Sequence, residues 1–213
     1  MNEHFWLYCA VYQSRLNTAK GGAVIIKVEH IFKAYGEKKV LTDLSLSFER
    51  GKFHCIAGPS GVGKTTLFRI LMGLEQPDSG SISGFDKGRV SVVFQENRLC
   101  ESLSAGANIR LVMPELADKR IPAELLQAFG LPNVLHMPVR EMSGGMQRRV
   151  ALARALAVNS EVFLFDEAFT GLDRETRDMV IAETGRRIAG KTLLMITHDE
   201  TEAELLGAKV IKL

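Results

Sequence analysis

The chain has 213 residues, 27 Lys and Arg against 25 Asp and Glu, and a formal net charge of +2. That length suits one domain with a sizeable core; 46% hydrophobic and 24% charged residues mark a globular chain, and the charge balance excludes a general electrostatic grip on nucleic acid. No apolar run approaches the roughly 20 residues of a membrane-crossing helix, and the three scattered cysteines, Cys9, Cys55 and Cys100, lack CxxC or zinc spacing and read as reduced thiols of a cytosolic protein.

Residues 1–23 show no clear period and make a poor signal peptide, with Glu3 at the start and a short, interrupted apolar part. They are expected to stand outside the folded domain as a dispensable extension. Lys20-Gly21-Gly22 is also compatible with a purine-rich ribosome-binding sequence read in frame, with Val24 as a GTG start.

From Val24 the pattern becomes regular. Val24 to Val28 is strand-like, and Leu44 to Phe48 alternates apolar and polar residues. Phe53 to Ala57 is a short buried strand in which Cys55 fits as a small core residue. A glycine-rich turn follows, then a helix from about Gly63 to Gly73. Ser81 to Phe94 reads as a hairpin turning at Asp86-Lys87-Gly88. Residues from about 99 to 141 read as irregular helix broken by Pro114, Pro122, Pro132 and Pro138, and a strong helix rich in Ala, Leu and Arg runs from Gly144 to Val158. A buried strand (Val162 to Phe165), a helix (about Asp173 to Ile188), a second buried strand (Leu193 to Thr197) and a short helix and strand complete the chain. Strands alternating with helices predict a mostly parallel α/β sheet.

Gly58-Pro59-Ser60-Gly61-Val62-Gly63-Lys64-Thr65 matches GxxxxGK[ST]. Glycines let successive backbone N–H groups point at phosphates, and the following helix adds its positive dipole end. Lys64 can reach β- and γ-phosphates, the Thr65 hydroxyl can hold Mg²⁺, and Thr66 continues the loop. The pattern recurs at Gly185-Arg186-Arg187-Ile188-Ala189-Gly190-Lys191-Thr192. A working loop follows a strand and opens a helix. The second match instead ends a helix and enters a strand, so Gly190 reads as a helix stop.

Val162-Phe163-Leu164-Phe165-Asp166-Glu167 is an apolar strand ending in two acids. Ligands of parallel sheets sit at the carboxyl ends of strands. That places Asp166 to bind Mg²⁺, and Glu167 to orient and polarise an attacking water.

Met142-Ser143-Gly144-Gly145-Met146 opens the helix with the context SGGMQRRVALARALA, and it resembles the LSGGQ signature of ABC ATPases. Ser143, Gly144 and Gly145 at a helix N-terminus form a second anion site. The resemblance implies that this site closes on the γ-phosphate held by another subunit. Other landmarks follow the family's order. Tyr35 resembles the adenine-stacking aromatic. Gln95 resembles the Q-loop glutamine, which senses Mg²⁺ and the membrane partner. Asp173, in Gly171-Leu172-Asp173, resembles the D-loop residue and can also cap a helix. His198 resembles the switch histidine that contacts the γ-phosphate. The likeness covers about Val24 to Leu213. It departs at Met146, where Gln is frequent, at Ala168, where Pro is common, and in a hairpin between Gly80 and Gln95 that is shorter than usual. The chain also ends soon after His198, so no regulatory C-terminal domain is expected.

The resemblance implies a P-loop NTPase fold: a RecA-like α/β core, a small antiparallel β subdomain and an inserted helical subdomain at about residues 99–158. It implies Mg²⁺-ATP hydrolysis powering a transporter. The partners would be a second copy of the chain or a homologous ATPase subunit, integral membrane permease subunits and a solute-binding protein. The place would be the cytoplasmic face of the membrane. The segment FQENRL, with Asn108 thirteen residues after Gln95, is most similar to ATPases of nitrate, sulfonate and taurine-type importers. Alternatives are a small lipoprotein-release or efflux ATPase, a soluble ABC ATPase of DNA repair or translation, and a nucleotide-binding subunit without catalysis. The soluble class usually carries two ATPase halves or a long coiled-coil insertion, and intact Lys64, Glu167 and His198 oppose the last.

Overall fold

The structure is a computed structural model that describes residues 25–84 and 89–213. The expected extension over residues 1–23, Cys9, and the turn at Asp86-Lys87-Gly88 lie outside the described residues. Eight strands and six α-helices are present among those described: β1 (Ile25–Tyr35), β2 (Lys38–Glu49), β3 (Phe53–Ala57), α1 (Lys64–Leu71), β4 (Ser79–Ser83), β5 (Val90–Val93), α2 (Ala105–Arg110), α3 (Ile121–Ala128), α4 (Gly144–Leu156), β6 (Val162–Asp166), α5 (Arg174–Arg187), β7 (Thr192–Ile196), α6 (Glu200–Leu205) and β8 (Lys209–Lys212).

They form two sheets. A three-stranded antiparallel sheet runs β2-β1-β4, and a five-stranded parallel sheet runs β5-β6-β7-β3-β8. Every residue of β6 and β7 is buried, as expected of strands covered on both faces. Because side chains alternate along a strand, the sheet divides the interior into two cores. Cys55, Phe163, Phe165, Leu193 and Met195 face helices α2 to α6. Ile56, Val162, Leu164, Leu194 and Ile196 face α1 and the antiparallel sheet. Burial pushes the Cys55 thiol pKa up, which suits an unreactive core residue.

The hairpin expected over Ser81 to Phe94 is not formed. β4 pairs with β1 in the antiparallel sheet, matching Lys27 to Ser83, whereas β5 pairs in parallel with β6, matching Val90 to Val162. Composition explains the split. Ser79–Ser83 is mostly exposed and suits an edge. The valines of β5 are half-buried or buried, and Ser91 between them donates its hydroxyl to the Ala155 carbonyl at 2.6 Å. A run of this kind is better covered on both faces.

Helices α2, α3 and α4 pack together beside the sheet. Asn108 of α2 is fully buried and clasps the loop before its own helix. Its Oδ1 accepts from the Cys100 N–H at 2.8 Å, and its Nδ2 donates to the carbonyls of Cys100 at 3.0 Å and Ser104 at 3.1 Å. Truncation strands these backbone groups away from water, so Asn108→Ala should lower unfolding free energy by about 2 kcal/mol. Urea denaturation with an unchanged slope measures it; a loss below about 0.5 kcal/mol would mean that the loop finds other partners.

Candidate nucleotide site

Strands β3, β6 and β7 are neighbours and parallel, so the segments leaving their carboxyl ends meet. Around a cleft of about 380 Å³ lie Tyr35, Lys38 and Val40 from the antiparallel sheet, Ser60, Gly61, Gly63, Lys64, Thr65 and Thr66 from the turn after β3, Gln95 after β5, Asp166 and Glu167 at the end of β6, and His198 after β7. Gly58, Pro59 and Val62 belong to the same turn without lining the cleft.

Gly63 has φ of 106°, and an added Cβ would fall 2.4 Å from Leu41 Cδ2. Both facts require glycine where α1 begins. Lys64 is 6% exposed, and its ammonium donates to the carbonyls of Gly58 at 2.7 Å and Pro59 at 3.0 Å. The charge is thereby held over its own loop, beside the N-terminus of α1.

Asp166 is 7% exposed. Burial pushes its carboxyl pKa up, as does the neighbouring charge of Glu167, while Arg148, Lys64 and His198 pull it down. Glu167 takes the left-handed region, with φ of 52°, which is uncommon for a residue with a Cβ. Its N–H donates to the Ile196 carbonyl at 3.0 Å. Its Oε1 lies 3.2 Å from His198 Nε2, and its Oε2 accepts from the Thr170 hydroxyl at 3.2 Å. The Tyr35 ring is 47% exposed and its hydroxyl bonds to Glu75.

Ser143, Gly144, Gly145 and Asp173 are not among the residues lining this cleft. Ser143 caps α4, accepting from the Met146 N–H at 3.3 Å. Asp173 caps α5, accepting from the Thr176 N–H at 3.0 Å, which helps to hold its carboxyl below the usual range. A Cβ on Gly145 would sit 3.5 Å from the Gly171 carbonyl oxygen, so these two helix starts adjoin on the surface.

The second GxxxxGKT match lies elsewhere. Helix α5 ends at Arg187, Gly190 has φ of 77°, and Lys191 donates to Asn159 Oδ1 at 3.1 Å before Thr192 enters β7. It is the end of a helix, as its order in the sequence implied.

Several neighbours escaped the sequence reading. Lys38 and Thr170 are exposed polar residues with no periodic signal, and Val40 is a half-buried residue of β2 packed on the core. Arg148 is different: it is 3% exposed and donates to the Phe94 carbonyl at 2.7 Å and to the Glu167 carbonyl. A signal existed, since Ala151 and Leu152, one helical turn on, are both buried.

The family profile described as ABC transporter matches residues 41–170. The aliphatic sulfonates import ATP-binding protein of Pseudomonas syringae pv. syringae is 39% identical over 190 residues, covering 87% of this chain and 78% of that protein. The sulfate/thiosulfate import ATP-binding protein of Chromobacterium violaceum is 38% identical, covering 87% of this chain and 55% of that protein. The chain thus spans about half the length of the latter. Among solved structures, the ATP-binding cassette MJ0796, in a dimeric post-hydrolysis state bound to ADP and Pi, superposes with a TM-score of 0.78 at 26% identity, covering 88% of this chain and 94% of that one.

The two lysines of the repeated pattern make contrasting predictions. A charge-assisted phosphate contact contributes about 1.5–3 kcal/mol, so Lys64→Ala should weaken nucleoside triphosphate binding about 10- to 100-fold. Lys191→Ala should leave it unchanged. A fluorescence titration showing the reverse ranking would refute the assignment of the cleft.

Proposed function

The chain belongs to the ABC transporter family, and from that premise we propose that it is the ATP-binding and ATP-hydrolysing subunit of an ABC transporter of importer type. The observation that carries the reading is the convergence of Lys64, Asp166, Glu167, Gln95 and His198 on one cleft after the four adjacent strands β5, β6, β7 and β3. Relatives named for import of sulfonates, sulfate and ferric iron support the direction of transport.

The backbone N–H groups of Gly61, Gly63, Lys64, Thr65 and Thr66 and the Lys64 ammonium bind the β- and γ-phosphates, and Tyr35 stacks on the adenine. The donor set fits Mg²⁺: a hydroxyl (Thr65), a carboxylate (Asp166) and an amide (Gln95) are hard oxygen donors, few enough to leave positions for phosphates and water. Among the described residues no cluster of three or more His, Cys, Asp or Glu could form an all-protein cage for a metal ion. When bound, Mg²⁺ neutralises charge on the phosphates. Glu167 orients a water in line with the γ-phosphorus and takes up its proton. As the water oxygen bonds to phosphorus, the bond to the bridging oxygen breaks and ADP leaves with that electron pair. His198, beside Glu167, steadies the γ-phosphate.

Ser143, Gly144 and Gly145 stand outside the cleft at an exposed helix start, where their N–H groups suit an anion brought by another molecule. A second copy, or a homologous subunit, supplies that anion as its own bound γ-phosphate. ATP therefore closes two chains around two nucleotides, and hydrolysis reopens them. No helix among the described residues is long and apolar enough to cross a membrane. The movement is passed to permease subunits at the cytoplasmic face, near Gln95 and helices α2 to α4, and a solute-binding protein completes the importer. Those subunits choose the solute.

Glu167→Gln removes the proton acceptor and spares the phosphate cradle. Turnover should fall about 10²- to 10⁴-fold with ATP binding retained and a closed dimer trapped. Phosphate release and ATP-dependent size-exclusion measurements check this, and near-normal turnover would remove Glu167 from the role. Ser143→Arg places bulk and charge at the opposite γ-phosphate. Each chain should still bind nucleotide, but neither dimerisation nor hydrolysis should occur. Wild-type turnover of this variant at high protein concentration would contradict the two-chain site.

A further inference from the structure

Arg148 lies in the second turn of α4 and its side chain is buried, 3% exposed. A guanidinium withdrawn from water must have its donors met, and here the donors go to two different loops. Nη1 donates to the Phe94 carbonyl at 2.7 Å and to Asn97 Oδ1 at 3.2 Å, two residues that bracket Gln95. Nη2 donates to the carbonyl of Glu167. The Glu167 N–H is meanwhile held by the Ile196 carbonyl at 3.0 Å. The residue is therefore anchored through both of its peptide groups while its φ is 52°, a region that persists only when surroundings impose it. The Glu167 carbonyl also accepts from the Thr170 N–H at 3.3 Å, and the Thr170 hydroxyl donates to Oε2 at 3.2 Å, so the direction of the carboxylate depends on these contacts together, of which the Arg148 bond alone comes from helix α4.

The Arg148 anchor rides on a helix whose first residues are Gly144 and Gly145. Five residues of α-helix span about 7.5 Å, so a shift of Ser143 is a shift of Arg148.

We propose that Arg148 is a positioning residue for hydrolysis: by bridging the Glu167 carbonyl and the Gln95 loop, it makes the orientation of the water-activating carboxylate depend on where helix α4 stands. Turnover is then gated by docking of Ser143 on the partner chain's nucleotide. This rests on the reading of Glu167 as the group that acts on the water. A lysine at the position keeps the charge but offers one ammonium, which cannot replace a planar fork reaching two loops.

The test uses the full chain with Arg148→Lys, Arg148→Gln, Asn97→Ala and Glu167→Gln, assayed for melting temperature, affinity for a non-hydrolysable ATP analogue, kcat and KM. Arg148→Lys should bind the analogue as the wild type does, with kcat down about 100-fold, the scale of a small misplacement of a reacting group. Combined with Glu167→Gln, it should cost nothing further, because both changes disable one unit. Wild-type kcat in Arg148→Lys beside an inactive Glu167→Gln would overturn the positioning role and leave the proposed function standing. Full turnover in Glu167→Gln would overturn the proposed function itself. Equal losses of affinity and kcat, or additive losses in the double variant, would reduce Arg148 to a structural residue and overturn the proposal. If both Arg148 variants fail to fold, Asn97→Ala decides: a several-fold fall in kcat at unchanged affinity supports the bridge, and an unchanged kcat refutes it.

Discussion

Two adjacent carboxylates at the end of a wholly buried strand are the constraint around which the molecule is arranged. Asp166 is raised in pKa by burial and by the neighbouring charge of Glu167. A fold that keeps both must bring cations and donors to them. Lys64, Arg148 and His198 come from three separate parts of the chain and act on this pair. The sheet order β6-β7-β3 makes the convergence possible, because it sets the acids, His198 and the glycine turn before α1 on neighbouring strand ends. The penalty on Asp166 and the proposed capacity of the cleft to hold a metal and a triphosphate are two faces of one electrostatic arrangement.

The surrounding packing follows from the same strands. With β6 and β7 covered on both sides, alternate residues enter two cores, and neither core can shift without moving the acids. Helix α4 has a double part. Its inner face closes the core through Val150, Leu152 and Ala153, and its exposed start carries the proposed second anion site. Arg148 lies between these, touching both the Gln95 loop and Glu167. This gives the proposed two-chain site a physical route from its periphery to its acid without any long-range mechanism.

Much of this was legible in the chain. The buried strands and the helix over Gly144 appear within a residue or two of their reading, because long apolar runs and helix-forming runs carry strong signals. The order of strand, glycine turn and helix gave the two GKT loops their observed settings, one opening α1 and the other ending α5. The hairpin failed for an identifiable reason: two short strands separated by a glycine-containing turn look alike whether they pair with each other or with distant partners. Only tertiary burial assigns Val90–Val93 to the parallel sheet. Arg148 carries no sequence mark that sets it apart from Arg149 and Arg154 in a basic helix, although its spacing from Ala151 and Leu152 puts it on the inner face. Asn108 drew attention by likeness alone, and its fully bonded amide supplies the reason.

A composite site makes each chain dependent on another, and that dependence is directly measurable. Initial phosphate release by the wild-type chain with saturating Mg²⁺-ATP should be followed as protein concentration rises from high dilution. If hydrolysis needs a cleft from one chain and Ser143 from its partner, the rate per chain climbs with concentration and then levels as dimers fill. A rate per chain that stays constant and substantial down to dilutions where only monomer is present would show that one chain hydrolyses ATP alone, and the shared site would be wrong.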